Sequence, residues 1–285
     1  SYRPCGNSKD SCGDAAAFPY GTGMLLLGLP AAVTARIFGV AAGSVALASA
    51  LSLGDLYIGY QLARMKTGRL TTMTWVLSPV ALYVTYVLGQ TATTVATFTF
   101  MAIIQIRATK WTSAGVILGL ATLFKLSALL LFPFFAVYAI RGKRERSDSL
   151  RFLSTMSAVV ALGTIPVLYS PGFREMVIGS RETGGLLDYS VSLGRSEPFL
   201  LVPVVYLAML YSLWRQGRTT AGVTSAYAVS ALAVVVLVAP SSVGWYLWFL
   251  PVMLLLATNT GLSMLVSVNT MQILAVTIAL FEAQP

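Results

Sequence analysis

The chain has no histidine and only two cysteines among its 285 residues. The missing imidazole excludes histidine general bases, histidine-ligated haem and the usual zinc and iron sites. Two cysteines cannot supply the four thiolates of an iron–sulfur cluster. The sequence also contains no P-loop and no dinucleotide-binding fingerprint. The groups that remain to carry chemistry in this chain are carboxylate, amine, guanidinium, amide and hydroxyl groups and the two thiols.

Charge is scarce as well. Only 10% of the residues are charged and 56% are hydrophobic, and the mean hydropathy is +0.78. A chain of this composition cannot be packed as one soluble core and needs lipid as its solvent. We predict an all-α polytopic membrane protein with about eight to ten transmembrane or half-spanning helices, because apolar windows that match a bilayer of ~30 Å recur along the chain.

The predicted spans cover most of the chain. We expect residues 1–20 to form an extracytoplasmic N-terminal loop and 21–285 to form a single transmembrane helical domain. Spans are predicted over residues 38–63, 72–88, 91–106, 152–169, 199–214, 221–239, 244–257 and 261–281. Two further apolar stretches, 21–35 and 113–140, remain ambiguous.

Basic residues concentrate in the segments between predicted spans. Twelve of the 19 lysines and arginines lie in four such segments: Arg64, Lys66, Arg69, Arg107, Lys110, Arg141, Lys143, Arg144, Arg146, Arg151, Arg215 and Arg218. By the positive-inside rule these segments are cytoplasmic, so the loops 89–91, 170–198 and 240–243 face outward. The distribution favours a topology signal over a patch that binds nucleic acid or anionic lipid. We expect membrane lipid, and not nucleic acid, as a partner.

The stretch 113–140 contains Lys125, which lies far from both ends of the apolar run. If the basic segments on both sides are cytoplasmic, the chain must leave and return within 28 residues, which is too short for two full spans. Two half-helices that meet near Lys125 satisfy this condition, because broken helices are tolerated where they line a polar cavity. The alternative is one tilted span that leaves the segment 141–151 outside.

The N-terminal segment contains both cysteines, Cys5 and Cys12. A disulfide between them would require an oxidising, extracytoplasmic compartment. Two free thiols are the alternative, because spacing alone does not establish pairing. With the N-terminus outside, 21–35 is expected to be a short juxtamembrane or re-entrant helix that ends at Pro30 and Arg36. If 21–35 crosses fully, the N-terminus is cytoplasmic.

Polar and aromatic groups at membrane depth are the candidate functional residues, because polar groups are costly there. Lys125 would bind the phosphate of a lipid carrier, or snorkel to an interface. Asp55 would bind ions or protons, or accept a hydrogen bond from a neighbouring helix. Gln90 would bind a sugar hydroxyl or cap a turn. Trp245 and Tyr246 would form the floor of a groove that binds sugar or lipid, or belong to a belt of aromatic residues at the membrane interface.

The outer loop 170–198 is the longest polar segment, and it mixes both signs of charge. Loops of this length are more often functional or mobile than simple connections between two elements. Arg174 and Arg181 would clamp a phosphate, while Glu182 or Asp188 would orient an acceptor hydroxyl. A solvated loop with internal ion pairs is the alternative.

Several short motifs occur in an order that resembles the GT-C glycosyltransferases, in particular the polyprenol-phosphate-mannose-using family 87 and the catalytic subunit of GPI mannosyltransferase I. The motifs are Phe18-Pro19-Tyr20, Gly54-Asp55-Leu56, Ser78-Pro79, Gly89-Gln90, Ala114-Gly115 with Gly119, Lys125 and Pro133, and Ala239-Pro240 with Trp245-Tyr246 and Pro251. They extend over roughly residues 15–255. Each motif is short and degenerate, and together they are moderately specific.

The resemblance implies a GT-C-like bundle in which a sugar, most readily mannose, moves from a polyprenyl-phosphate donor to an acceptor hydroxyl on the extracytoplasmic face. The lipid-linked sugar is the donor, and no other cofactor is implied. Lys125 and an outer-loop arginine would stabilise the departing phosphate.

The general base is the main departure from the family pattern. The family's catalytic aspartate follows a first transmembrane helix and would fall upstream of Ser1, so Asp10 and Asp14 stand in as hypothetical bases. Two other functions stay open. The chain would be a non-catalytic GT-C-like subunit that binds other membrane subunits, or a transporter, for which Asp55 is the only midplane carboxylate. In each case we expect an integral protein of the plasma membrane or endomembranes.

Overall fold

The computed structural model describes residues 21–65, 68–141, 146–174, 177, 190–192, 198–217, 219–238 and 242–282, and in these ranges the chain is a helical bundle. The helices are α1 (Gly23–Phe38), α2 (Val40–Ala63), α3 (Gly68–Val76), α4 (Pro79–Leu82), α5 (Ala92–Arg107), α6 (Trp111–Phe124), α7 (Phe132–Arg141), α8 (Arg146–Leu168), α9 (Pro171–Phe173), α10 (Leu201–Arg215), α11 (Ala221–Val238), α12 (Leu250–Thr260) and α13 (Leu262–Glu282). A π-helical turn at Tyr83–Val87 follows α4, and 3₁₀-helices at Leu126–Leu131 and Val243–Trp248 precede α7 and α12. The predicted all-α membrane fold is confirmed.

Four helical stretches are long and apolar enough to cross a membrane: Val40–Ala63, Gly68–Val87, Arg146–Leu168 and Leu262–Phe281. At about 1.5 Å per residue, each covers roughly 30 Å or more, which is the thickness of the hydrocarbon core. Large apolar side chains remain exposed on their outer faces. Such surfaces are stable in lipid and associate the chain with a membrane.

Helix α5 lies at the centre of the bundle, and most of its residues are buried. Its threonines hydrogen-bond inside the protein. The hydroxyls of Thr93 and Thr85 are 2.6 Å apart, and the Thr97 hydroxyl donates to the Thr93 carbonyl at 2.8 Å. Small polar residues suit this position, because they let helices approach closely and satisfy their own hydrogen bonds where no water is present.

Helices α6 and α8 pack side by side and run in the same direction. Gly115 faces Thr155 and Leu123 faces Gly163, so residue numbers increase together along both helices. Since the first residues of α6 and α8 then lie at the same end of the bundle, the intervening α7 must return to that end. The chain therefore leaves and returns within 113–140, which favours the two half-helices over the single tilted span.

Three elements differ from the expectations. Helix α1 does not end at Pro30 but continues to Phe38, because a missing amide donor is tolerated in helices packed in lipid. The predicted span 244–257 is a 3₁₀-helix followed by α12, since Pro251 suits the first turn of a new helix. Two short strands, Ser190–Ser192 and Pro198–Leu200, pair antiparallel within the predicted outer loop.

Candidate functional site

Lys125 lies at a break between two helices. Helix α6 ends at Phe124, and Lys125 has an extended backbone (φ −152°, ψ 130°) before the 3₁₀-helix Leu126–Leu131 begins. Pro133 at the second position of α7 starts the next helix. The predicted helix break is confirmed. The 14 residues of α6 cover about 21 Å, so Lys125 lies about that far from the first residue of α6. It is near the end of α8, because Leu123 faces Gly163 and α8 ends at Leu168.

Two tryptophans hold the Lys125 ammonium group. Its Nζ lies 4.9 Å from the ring centroid of Trp245 and 4.8 Å from that of Trp248. The two indoles stack on each other with centroids 4.7 Å apart. Side chains at i and i+3 eclipse in a 3₁₀-helix, which explains why Trp245 and Trp248 share one face. These cation–π contacts stabilise the charged amine where its side chain is partly buried.

Gln90 reaches the same segment from the turn before α5. Ser242 Oγ donates to Gln90 Oε1 at 3.3 Å, and the Gly244 amide donates to Ser242 Oγ at 3.3 Å. A methyl group on Gly244 would overlap Gln90 Oε1, so the close approach requires glycine there. Gly89, with φ +60°, makes the turn that aims Gln90 at this segment. Gln90 and Lys125 therefore both contact the segment 242–248, although they are far apart in sequence.

Three buried polar atoms on the segments that carry Gln90, Lys125 and Trp245 have no hydrogen-bond partner among the described residues. They are the Thr91 hydroxyl, the Ser127 hydroxyl and the Trp248 indole N–H. Thr91 follows Gln90, Ser127 lies two residues after Lys125, and Trp248 is the ring beneath the ammonium group. All three can donate, and an unmade hydrogen bond at a buried donor is costly. A cation with several donors nearby suits an anion that carries acceptor oxygens.

The start of the described chain also packs here. The Gly21 amide donates to the Phe124 carbonyl at 3.2 Å, and a side chain on Gly21 would overlap the Leu123 carbonyl oxygen. Thr22 Oγ1 donates to the Gly163 carbonyl at 2.9 Å. The Gly21 backbone is therefore held beside Phe124, the residue before Lys125. The predicted N-terminal loop ends next to Gly21 in the sequence.

The structure does not bring every predicted residue to Lys125. Tyr246 lies on a different face of the 3₁₀-helix and packs its ring 5.9 Å from Phe249. Arg174 is exposed just after α9. Trp248, which was not among the predicted site residues, could have been found from its spacing of three from Trp245. The remaining candidates lie outside the described residues: Cys5, Cys12, Asp10, Asp14, Arg181, Glu182 and Asp188.

Asp55 occupies a separate position in the middle of α2. The Tyr86 hydroxyl donates to Asp55 Oδ2 at 2.9 Å, and Trp75 Nε1 donates to the Asp55 backbone carbonyl at 3.2 Å. This is the hydrogen-bonded carboxylate that was one of the two sequence-based interpretations. The second carboxylate oxygen, Oδ1, is buried and has no partner among the described residues.

Comparison with known proteins does not assign this chain to a family. No protein family, curated protein or solved structure matches this chain. The function has to be argued from the arrangement of Gln90, Lys125, Trp245 and Trp248.

Proposed function

We propose that the chain is a membrane glycosyltransferase of the GT-C type that transfers a sugar, tested first as mannose, from a polyprenyl-phosphate donor to an acceptor hydroxyl. One observation carries the proposal. Gln90 and Lys125, each chosen from the sequence as a substrate-binding residue, both contact the segment 242–248, which carries the third such residue, Trp245. Buried donors without a partner among the described residues lie on the same segments. The resemblance to GT-C enzymes supplies the reaction type.

Lys125 is the phosphate-binding group in this proposal. Its ammonium group is a compact point charge, partly buried against two indole rings, where the reduced dielectric strengthens attraction to an anion. The hydroxyl of Ser127 and the indole N–H of Trp248 would donate to the phosphate oxygens as negative charge develops on the leaving group. The Gln90 amide, oriented by Ser242, would bind a sugar hydroxyl.

The reaction is a single displacement at the anomeric carbon. The acceptor oxygen forms a bond to this carbon while the bond from the carbon to the phosphate oxygen breaks. The acceptor proton passes to a carboxylate base, and the polyprenyl phosphate leaves with the electron pair. Asp10 and Asp14 remain the hypothetical bases. Asp14 is seven residues from Gly21, so an extended chain keeps it within about 25 Å of the Lys125 site.

A transfer assay with a matched control tests the proposal. The full chain in lipid nanodiscs is supplied with radiolabelled polyprenyl-phosphate mannose and a mannoside acceptor. We expect Lys125→Met to reduce transfer at least 100-fold, as loss of a charge-stabilising group does. Lys110→Met should keep transfer unchanged, because Lys110 is exposed at the opposite end of α6. No transfer by the unaltered chain, or equal transfer by both variants, contradicts the proposal.

The hypothetical base is tested in the same assay. Asp10→Asn and Asp14→Asn each remove one carboxylate while keeping its size. One of them should abolish transfer but leave binding of the lipid donor intact. If both variants transfer sugar normally, neither residue is the base.

A non-catalytic subunit is the second candidate function, and one observation favours it. Both acidic side chains described by the structure already have partners: Asp55 accepts a hydrogen bond from Tyr86, and Asp148 in the first turn of α8 lies 3.8 Å from Arg151. In this second function the site would bind an anion without a base from this chain. Donor binding without transfer, in a chain with Asp10 and Asp14 intact, would support this second function.

A further inference from the structure

Two arginines and a tryptophan lie together at the ends of α7 and α10. Arg141 Nη2 donates to the Trp214 carbonyl at 3.0 Å, and the guanidinium carbon lies over the Trp214 ring, 4.8 Å from its centroid. Arg215 follows Trp214 and is the last residue of α10. All three residues are exposed. We call Arg141, Trp214 and Arg215 the Arg141 cluster.

The packing of α7 on α10 places both arginines at one end of the bundle. The rings of Phe134 and Tyr206 lie 5.3 Å apart, and Arg141 contacts Trp214 about two turns further along both helices. Residue numbers therefore increase together, and the two helices end on the same side. By the positive-inside rule this side is cytoplasmic, because the basic segment 141–151 begins there.

The positive charge of the cluster is not balanced within the described residues. The ion pair among them joins Arg151 to Asp148, and neither Arg141 nor Arg215 has a carboxylate partner there. The Trp214 carbonyl uses one of the five N–H donors of Arg141, so most of this exposed guanidinium is available to a ligand. Two exposed charges beside one tryptophan attract an anion.

An exposed stripe along α10 leads to the cluster. It consists of Val204, Leu207, Tyr211 and Trp214, all of them exposed. Spacings of three and four residues place these side chains on one face of the helix. The stripe is about 15 Å long, which is roughly half of the ~30 Å hydrocarbon core and therefore the depth of one leaflet. A lipid acyl chain fits along this stripe, whereas a soluble anion does not use it.

A topology signal alone does not require this arrangement. The positive-inside rule treats lysine and arginine alike and needs only their presence on one side. A guanidinium group held against a tryptophan is more specific, because it can bind a phosphate through two parallel hydrogen bonds and lysine cannot. Anionic lipids in the cytoplasmic leaflet supply such phosphates at the depth where tryptophan is enriched.

We propose that the Arg141 cluster binds the headgroup of an anionic phospholipid in the cytoplasmic leaflet. Arg141 and Arg215 bind the charged headgroup, and one acyl chain lies along Tyr211 and Leu207. The site does not depend on the glycosyl transfer proposed above, because it lies at the end of the bundle where α6 begins, whereas Lys125 follows the last residue of α6.

Quenching of tryptophan fluorescence by brominated lipids tests the proposal. Trp214 is 41% exposed, whereas the other four tryptophans are at most 7% exposed, so bromine on an acyl chain should quench mainly Trp214. The full chain is placed in phosphatidylcholine bilayers that contain either brominated phosphatidylglycerol or brominated phosphatidylcholine. We expect phosphatidylglycerol to bind about tenfold more tightly, because two arginines attract its charge. Equal quenching by the two lipids overturns the proposal.

Charge variants distinguish the site from the general charge of the surface. Arg141→Gln and Arg215→Gln should each lower the preference for phosphatidylglycerol about fivefold. Arg69→Gln is the control, because it removes the same charge from another predicted cytoplasmic segment, on α3, which packs against α2, α4, α12 and α13. The two lipids are compared within each variant, so a change in the emission of Trp214 itself cancels. Equal losses in all three variants would mean that diffuse charge attracts the lipid.

Two further comparisons test the guanidinium and the acyl chain. Arg141→Lys keeps the charge but loses the paired hydrogen bonds, so the preference should fall; an unchanged preference contradicts a site built around the guanidinium. Excess glycerol 3-phosphate should not displace brominated phosphatidylglycerol, because it has no acyl chain. Displacement would assign the cluster to a soluble phosphate and overturn the lipid assignment. The thermal unfolding midpoint shows that each variant is folded, and Arg215→Gln removes no contact among the described residues.

Discussion

Replacement of Gly244 by alanine tests the contact between Gln90 and the 3₁₀-helix most directly. An added methyl group would overlap Gln90 Oε1, which accepts the hydrogen bond from Ser242. The Gln90 backbone amide donates to the Val84 carbonyl at 3.0 Å, so the side chain relieves the overlap only by rotating away, which breaks its hydrogen bond with Ser242. Overpacking of this kind lowers the free energy of unfolding by about 1–3 kcal/mol.

The expected shift can be measured by thermal unfolding in detergent. One kcal/mol corresponds to about 2–4 °C in a chain of roughly this size, so Gly244→Ala should lower the midpoint by roughly 2–12 °C. Gly217→Ala is the control, because a methyl group there meets no atom within 4 Å. Its midpoint should stay within about 2 °C, as for other surface changes.

A double variant separates overlap from a general loss of glycine flexibility. Gln90→Ala alone should cost about 1 kcal/mol, the value of one hydrogen bond. With Gln90 shortened, the methyl group at position 244 has room, so Gly244→Ala should then add little further loss. The coupling between the two changes should be about 1–3 kcal/mol. If the two losses simply add, the contact between Gln90 and Gly244 does not exist and the proposed site is misassembled.

Two further predictions concern other parts of the chain. Tyr86→Phe removes the hydrogen bond to Asp55 and should lower the free energy of unfolding by about 0.6–1.7 kcal/mol, the range for hydrogen bonds between membrane helices. Denaturation in detergent measures it, and no change would mean that lipid or water replaces the tyrosine. For Cys5 and Cys12, a thiol-alkylating reagent should add mass only after reduction if they form a disulfide. Two additions without reductant would establish free thiols.

The helix break at Lys125 was one of two arrangements that the sequence allowed, because the stretch 113–140 is too short for two full membrane spans. Basic segments on both sides of 113–140 fix the two ends of the stretch, and the bilayer thickness then excludes two full spans. Lys125 is the costly residue within that stretch. These constraints are local, so they do not require knowledge of the tertiary fold.

The convergence of Gln90, Lys125 and Trp245 could not be derived from spacing. It depends on how α5, α6 and the segment before α12 pack, and only the resemblance to GT-C enzymes placed these residues together. The role of Trp248 was missed because Val243–Trp248 was assigned to a longer span. The spacing of three between the tryptophans was nevertheless visible, and in a 3₁₀-helix it stacks them on one face.

The charge of Lys125 gives a final way to distinguish function from structure. An ammonium group that is partly withdrawn from water costs free energy, and the cation–π contacts with Trp245 and Trp248 offset only about 0.5–2 kcal/mol each. A methionine of similar length would keep the packing without that cost. Lys125→Met should therefore unfold at the same temperature as the unaltered chain, or at a higher one, while losing donor binding. A large fall in the midpoint, with donor binding retained, would mean that Lys125 serves the fold and not the site.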